Sequence, residues 1–165
     1  MESPPPNRPV LVPKPPLLNS RVEIPPTAFE YPHTVQPEEL DGLMHANNLE
    51  YLKWMLAAAT AHSDAVGWTL QRHLELQAGW VVRTHQIEYL QPALVNEDVV
   101  VRTWVVDMKW MSSMRRYVLV RPSDNARLAV AATNWAFVDF QTKKLARIPD
   151  IVSSAFEIIP DPPLR

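Results

Sequence analysis

Residues 49–68 read LEYLKWMLAAATAHSDAVGW, and this stretch decides the fold. Leu49, Leu52, Leu56 and Ala59 recur at helical spacing. Asn48 stands where an N-cap belongs, Glu50 falls in the first turn where the helix dipole favours an anion, and Gly67 supplies a stop. The small side chains of Ala57, Ala58, Ala59 and Ala61 would let a sheet approach closely. Four segments rich in β-branched and aromatic residues follow: GWVVRTHQIEYL (79–90), EDVVVRTWVVDM (97–108), SSMRRYVLVRP (112–122) and RLAVAATNWAFVDF (127–140). Short turn-like pieces, among them QPALVN and SDNA, separate them. One earlier strand fits AFEYPHTVQ (28–36), and residues 141–156 close with a turn and a short terminal helix. One helix set apart from a run of strands predicts an α+β fold with an antiparallel sheet, and not a βαβ repeat.

Proline crowds the first 26 residues, in PPP, PKPP and IPP, where each ring removes a backbone donor and favours extended polyproline II. Residues 1–26 are therefore expected to form an arm, and residues 27–165 the domain. The arm is either a loosely draped tail or a strap on a neighbouring subunit, for which Val10, Leu11, Val12, Leu17 and Leu18 offer apolar surface. A length of 165 residues suits one domain with a real core. The net charge of −2 speaks against nucleic acid as partner, since phosphate neutralisation needs an excess of Lys and Arg. With no cysteine there is no disulfide scaffold, thiolate metal site or cysteine nucleophile, which fits a cytoplasmic setting. No stretch has the apolar run of a membrane span or signal peptide, so neither membrane insertion nor secretion is expected.

The densest polar cluster in apolar surroundings is Asp41, His45, Asn47 and Asn48, just ahead of the helix. A helix N-terminus presents unpaired N–H groups and partial positive charge, suited to a developing oxyanion. A carboxylate a few residues upstream completes what thioester hydrolysis needs: a group to polarise the carbonyl, and one to attack it or to activate water.

The run Asp41-Gly-Leu-Met-His45-Ala-Asn47-Asn48-Leu-Glu-Tyr51 resembles the Asp-x-x-Gly-His-Val-Asn-Asn-x-x-Tyr signature of the 4-hydroxybenzoyl-CoA and acyl-ACP thioesterase branch of the hotdog superfamily. QIEYLQPALVNEDVVVRTWV is similar to that family's strand, turn and strand, and WAFVDFQTKKLARIP to its last strand and Ile-Pro turn. The resemblance covers roughly residues 28–156 and implies the hotdog fold, an antiparallel sheet wrapped around one long central helix. It implies hydrolysis of an acyl-CoA or acyl-carrier-protein thioester, with Asp41 as nucleophile or general base and the Asn48 amide polarising the carbonyl. It implies no metal and no cofactor, and a homodimer or homotetramer with active sites between subunits. His45 would orient the carboxylate or substrate, while Asn47, Met44, Ser112 and Ser113 would contact substrate. The chain departs from the pattern at Met44, where Gly is common, at Leu43, where plant acyl-ACP thioesterases carry Asn, and at Asn48, where Tol-Pal-associated relatives carry His.

Other residues have two readings. Arg83, Arg102, Arg115, Arg116, Arg121, Lys143 and Lys144 include candidates for CoA or phosphopantetheine phosphates, although strand cations are commonly just solvated. Trp54, Met55 and Trp68 suggest an apolar pocket, or simply core. Two competing functions remain: a non-catalytic acyl-thioester-binding protein, and an enoyl-thioester hydratase or dehydratase, whose His-containing motifs are not visible here.

Overall fold

A computed structural model describes residues 21–162. Its strands are β1 (Phe29–Thr34), β2 (Ala78–Tyr89), β3 (Asp98–Met108), β4 (Ser112–Arg121) and β5 (Ala126–Asp139); its helices are α1 (Asn48–Ala65), α2 (Leu70–Leu76) and α3 (Asp150–Ser153). The strands form one sheet in the order β1-β3-β4-β5-β2, every pair antiparallel. Strand alternation divides the side chains between two faces. Val99, Val101, Tyr117, Leu119, Leu128, Ala129 and Ala131 face α1, whereas Trp104, Val106, Val118, Val120, Val130 and Ala132 form a second cluster on the outer face. The expected α+β architecture is the one that forms. No helix among the described residues is long and apolar enough to cross a membrane.

Three details differ from expectation. The face of α1 packed on the sheet is Tyr51, Trp54, Met55, Ala58 and Ala59, not the Leu49, Leu52, Leu56 stripe. Leu49 and Leu56 are 63% and 36% exposed, because they lie on the flank of the helix away from β1 and β3. The N-cap is Asn47, whose Oδ1 accepts the Leu49 N–H at 2.9 Å; Asn48 is the first helical residue. The short α2 has no counterpart in the sequence reading because its seven residues carry no sustained period; Thr69 caps it through the Arg72 amide.

Residues 1–20, with the apolar strap candidates, lie outside the described residues. Val22 and Ile24, from the end of the expected arm, pack on the outer-face cluster of their own chain beside Ile159. The C-terminal segment follows β3 beyond the end of β1: Ile159 N–H donates to the Val105 carbonyl at 2.9 Å, and Arg116 holds Asp161.

The two outer strands are unlike. β1 is six residues long and carries Pro32, which has no N–H to offer a further strand. β2 is twelve residues long, without proline, and bulges once between Val82 and Thr84.

Candidate active site

The loop before α1 is fixed on three sides. Asp41 N–H donates to the His45 carbonyl at 2.7 Å, and Met44 N–H returns to the Asp41 carbonyl at 3.0 Å. Asp41 Oδ1 accepts the amides of Leu43 at 2.8 Å and His45 at 3.2 Å, an Asx-type turn closed by the carboxylate itself. Both bonds fall on one oxygen; Oδ2 takes none among the described residues. Met44 adopts φ 63°, the left-handed region in which a Cβ costs roughly 1 kcal/mol, so a glycine here would relieve strain. The Met44 side chain is exposed, as is that of Leu43.

Glu39 ties this loop to the helix. Its carboxylate accepts Trp54 Nε1 at 3.0 Å, His33 Nε2 at 2.9 Å and the Gln36 amide at 2.8 Å, while its carbonyl accepts the Asn47 amide at 2.8 Å. Burial works against ionisation of Glu39, but these donors outweigh it and hold its pKa below the usual range. From the other side comes the turn after β2: Ala46 N–H donates to the Ala93 carbonyl at 2.8 Å, and Ala93 N–H to the Tyr51 hydroxyl at 3.0 Å. The Tyr89 hydroxyl donates to the Asn48 carbonyl at 3.1 Å, and its ring meets Tyr51 edge-on. Tyr89 and Ala93 are thereby tied to the start of α1.

With Leu49 N–H capped by Asn47, and Glu50 N–H bonded to the Asn47 carbonyl at 2.8 Å, the Asn48 amide is the donor that the helix start leaves unserved. Asp41, His45, Asn47 and Asn48 thus share one end of α1. His45 reaches Asp41 through its backbone amide.

Ser112 and Ser113 stand elsewhere. They open β4 opposite Trp135 and Ala136, towards the C-terminal end of α1; Ser113 is buried and donates to the Asp107 carbonyl at 2.8 Å. There the structure encloses a cavity of about 220 Å³, lined among others by Trp68, Trp80, Trp135, Phe140, His73 and Arg115. Gly79 permits this crowding: a Cβ would stand 2.7 Å from the Phe140 ring. The cavity was not foreseen, since its walls come from α1, α2, β2, β3, β4 and β5 with no local motif. Trp54 and Met55 belong to the core, whereas Trp68 lines the cavity.

The cationic candidates sort themselves by partner. Arg102 pairs with Glu30, Arg116 with Asp161, and Arg121 with Glu97 and Asp124. Arg115 is 6% exposed and points to the helix side of the sheet, in register with Ser113 and Tyr117. Its Nη1 donates to His62 Nδ1 at 2.9 Å and to Thr103 Oγ1 at 3.1 Å. Burial, then the charge of Arg115, pulls His62 down from 6.5 to about 4. The native state therefore refuses a proton that the unfolded chain accepts. His62 contributes stability that is complete above pH 6.5 and lost as pH falls towards about 4. His62→Gln keeps an acceptor for Arg115, so urea unfolding across that window should show a pH slope shallower by up to about 1.4 kcal/mol per unit. An unchanged slope would assign the acid sensitivity to other groups.

Solved structures share the fold. A 1,4-dihydroxy-2-naphthoyl-CoA thioesterase from Synechocystis superposes with a TM-score of 0.72 at 17% identity, covering 78% of this chain and 94% of that one. A gentisyl-coenzyme A thioesterase gives 0.67 at 18%, covering 77% and 98%. A hypothetical protein from Staphylococcus aureus in complex with CoA gives 0.73 at 15%, covering 78% and 80%. No curated protein matches the chain in sequence. The sheet wrapped on α1 is the hotdog fold of these thioesterases, and the model of the thioesterase-like superfamily matches residues 35–156, so the chain belongs to that superfamily.

Proposed function

We propose that the protein hydrolyses acyl thioesters of CoA or an acyl-carrier protein, with Asp41 as the catalytic carboxylate and the Asn48 amide as oxyanion donor. The observation that carries this reading is the pairing at one helix end of a carboxylate with one free oxygen and an unserved N–H. The thioester oxygen would accept from Asn48 as the carbonyl carbon becomes tetrahedral. Asp41 would either attack that carbon, giving an anhydride that water opens, or take a proton from the attacking water. In both routes the C–S bond breaks, the thiol leaves with a proton, and the acid forms. His45 and Asn47 hold the loop, and Met44 stands exposed beside it. The neighbour bound to CoA and the CoA thioesterases of the same fold favour CoA as carrier.

The working unit in this reading is a homodimer, alone or within a tetramer, paired through β2. That strand offers an unblocked edge, and the Leu49, Leu52, Leu56 flank of α1 supplies apolar surface for a second copy. Two-fold pairing of antiparallel strands sets the Ala78 end of one β2 beside the Tyr89 end of the other. The cavity with Ser113 would then meet the Asp41 loop of the partner. Within one chain the two are separated by about 22 Å, at 1.5 Å for each of the roughly fifteen residues from Asn48 to Ser63.

Thiol release from short, long and aromatic acyl-CoAs, and from acylated carrier protein, tests the activity. Turnover of any of these supports it, and silence on all rejects it. Leu56→Glu tests the assembly. Its side chain is partly exposed in one chain, so the protein should still fold, yet sediment as a smaller species with thiol release reduced at least about tenfold. A variant that keeps its size and activity would exclude that helix flank from the interface.

A further inference from the structure

The cavity at the C-terminal end of α1 contains a charge that its surroundings do not balance. Arg115 is almost fully buried, and burial depresses its pKa. Its two acceptors, His62 Nδ1 and Thr103 Oγ1, are both neutral groups: accepting from a guanidinium at Nδ1 requires the ring's lone pair. Both bonds use Nη1, so among the described residues Nε and Nη2 are not engaged. Asp64 is the carboxylate on the cavity lining, but it is exposed at the rim and forms no ion pair with Arg115. Breaking or omitting the partner of a buried charge is among the costliest arrangements in a protein core. A cation kept there points to an anion that arrives from outside.

Two further polar groups on the same lining are incompletely satisfied. His73 Nδ1 donates to the Ala78 carbonyl at 3.1 Å, which leaves Nε2 buried with nothing to accept from. Trp135 Nε1 is buried beside the Tyr117 hydroxyl, which also has Thr133 as a neighbour, and neither atom makes a hydrogen bond of full geometry. The remaining wall is aromatic and aliphatic, from Trp68, Trp80, Val105, Met108, Phe140 and Phe156. Exposed Leu70 and Asp64 mark the mouth, while buried Ser113 and Arg115 mark the floor. One guanidinium beneath an apolar sleeve suits one carboxylate on a short hydrocarbon chain. A pyrophosphate or phosphate would bring more charge than a single cation neutralises.

We propose that this cavity receives an acyl group bearing a carboxylate at the end remote from the thioester, with Arg115 as the group that selects it. The preferred substrates are then short dicarboxylic acyl thioesters. This deepens the hydrolase reading and rests on it for the catalytic half, whereas the binding half stands by itself.

Two arms separate those halves. In the first, calorimetry on the full chain compares hexanoate, which mimics the carboxylate end of such a chain, with neutral hexanamide. Preference for hexanoate by about tenfold or more, the size expected of hydrogen bonds to a charged group, supports the assignment. Equal affinity, or no binding of either, overturns it. Arg115→Met should abolish the preference; Trp135→Phe, which removes one donor and keeps an aromatic ring in the wall, should weaken it even if the Met variant fails to fold. In the second arm, adipoyl-CoA should exceed hexanoyl-CoA in kcat/KM by a similar factor, and in folded Arg115→Met the ratio of the two should fall to about one. Better turnover of hexanoyl-CoA by the wild type overturns the substrate class. Silence on every thioester with selective hexanoate binding rejects the hydrolase reading and leaves the carboxylate site in place.

Discussion

Asp41→Asn should lower thiol release by about 10²–10⁴-fold while leaving thermal melting unchanged. The reason for both halves lies in the two carboxylate oxygens. Oδ1 closes the turn through the Leu43 and His45 amides, and an asparagine Oδ1 accepts the same two bonds. In the proposed mechanism Oδ2 is the oxygen left for chemistry, and in the variant an NH2 group that neither attacks a carbonyl nor takes a proton replaces it. Asp41→Ala confuses the two roles, because it removes the turn's acceptor as well. Steady-state thiol release and a melting curve on the same preparations distinguish them. Equal activity in wild type and Asp41→Asn would remove the carboxylate from the mechanism, and a large drop in melting temperature would show that activity was lost with the fold.

Phe137→Ala should cost about 3–5 kcal/mol, a large share of the roughly 5–15 kcal/mol that holds a typical domain together. Phe137 is fully buried in the cluster that joins β3 and β5 to the C-terminal segment through Trp68, Ile148, Val152 and Phe156. Its ring meets Trp80 edge-on at 4.9 Å, so aromatic contact is lost together with transfer free energy. The neighbouring cavity gives the walls room to move apart but little to collapse with. Urea unfolding should show a lower midpoint at an unchanged m value. A midpoint shift worth less than about 1.5 kcal/mol would mean that the cluster repacks around the gap.

Much of this fold was legible because its signals are local. A long apolar helix followed by four β-rich segments leaves few arrangements besides a sheet packed on a helix. What misled was the choice of face. Leu49, Leu52 and Leu56 are as hydrophobic as any core stripe, yet the sheet takes Tyr51, Trp54 and Met55. Periodicity reports that a face is apolar, not what covers it, and a helix with two apolar faces has two partners to satisfy. The neighbouring asparagines were equally ambiguous: both are good caps, and only the bond to the Leu49 amide identifies Asn47.

The site divides along the same line. Asp41, His45, Asn47 and Asn48 are close in sequence, so a motif finds them. The cavity is assembled from residues between Ala59 and Phe156, and no short pattern reports such a wall. Arg115 looked like one more solvated strand cation. The signal that placed it inside was the alternation in SSMRRYVLVR, which sets Arg115 on the same side as Ser113, Tyr117 and Leu119, and Arg116 on the other.

Pro32 has a consequence for growth. A sheet with two open edges adds copies without end, and the product is a ribbon. Here one edge is capped by a residue without an N–H, and the other, once it meets its own copy across a two-fold axis, is used up. In the proposed dimer the edge chemistry of a single proline thus acts as a stop signal, turning a strand surface prone to polymerise into a particle of fixed size.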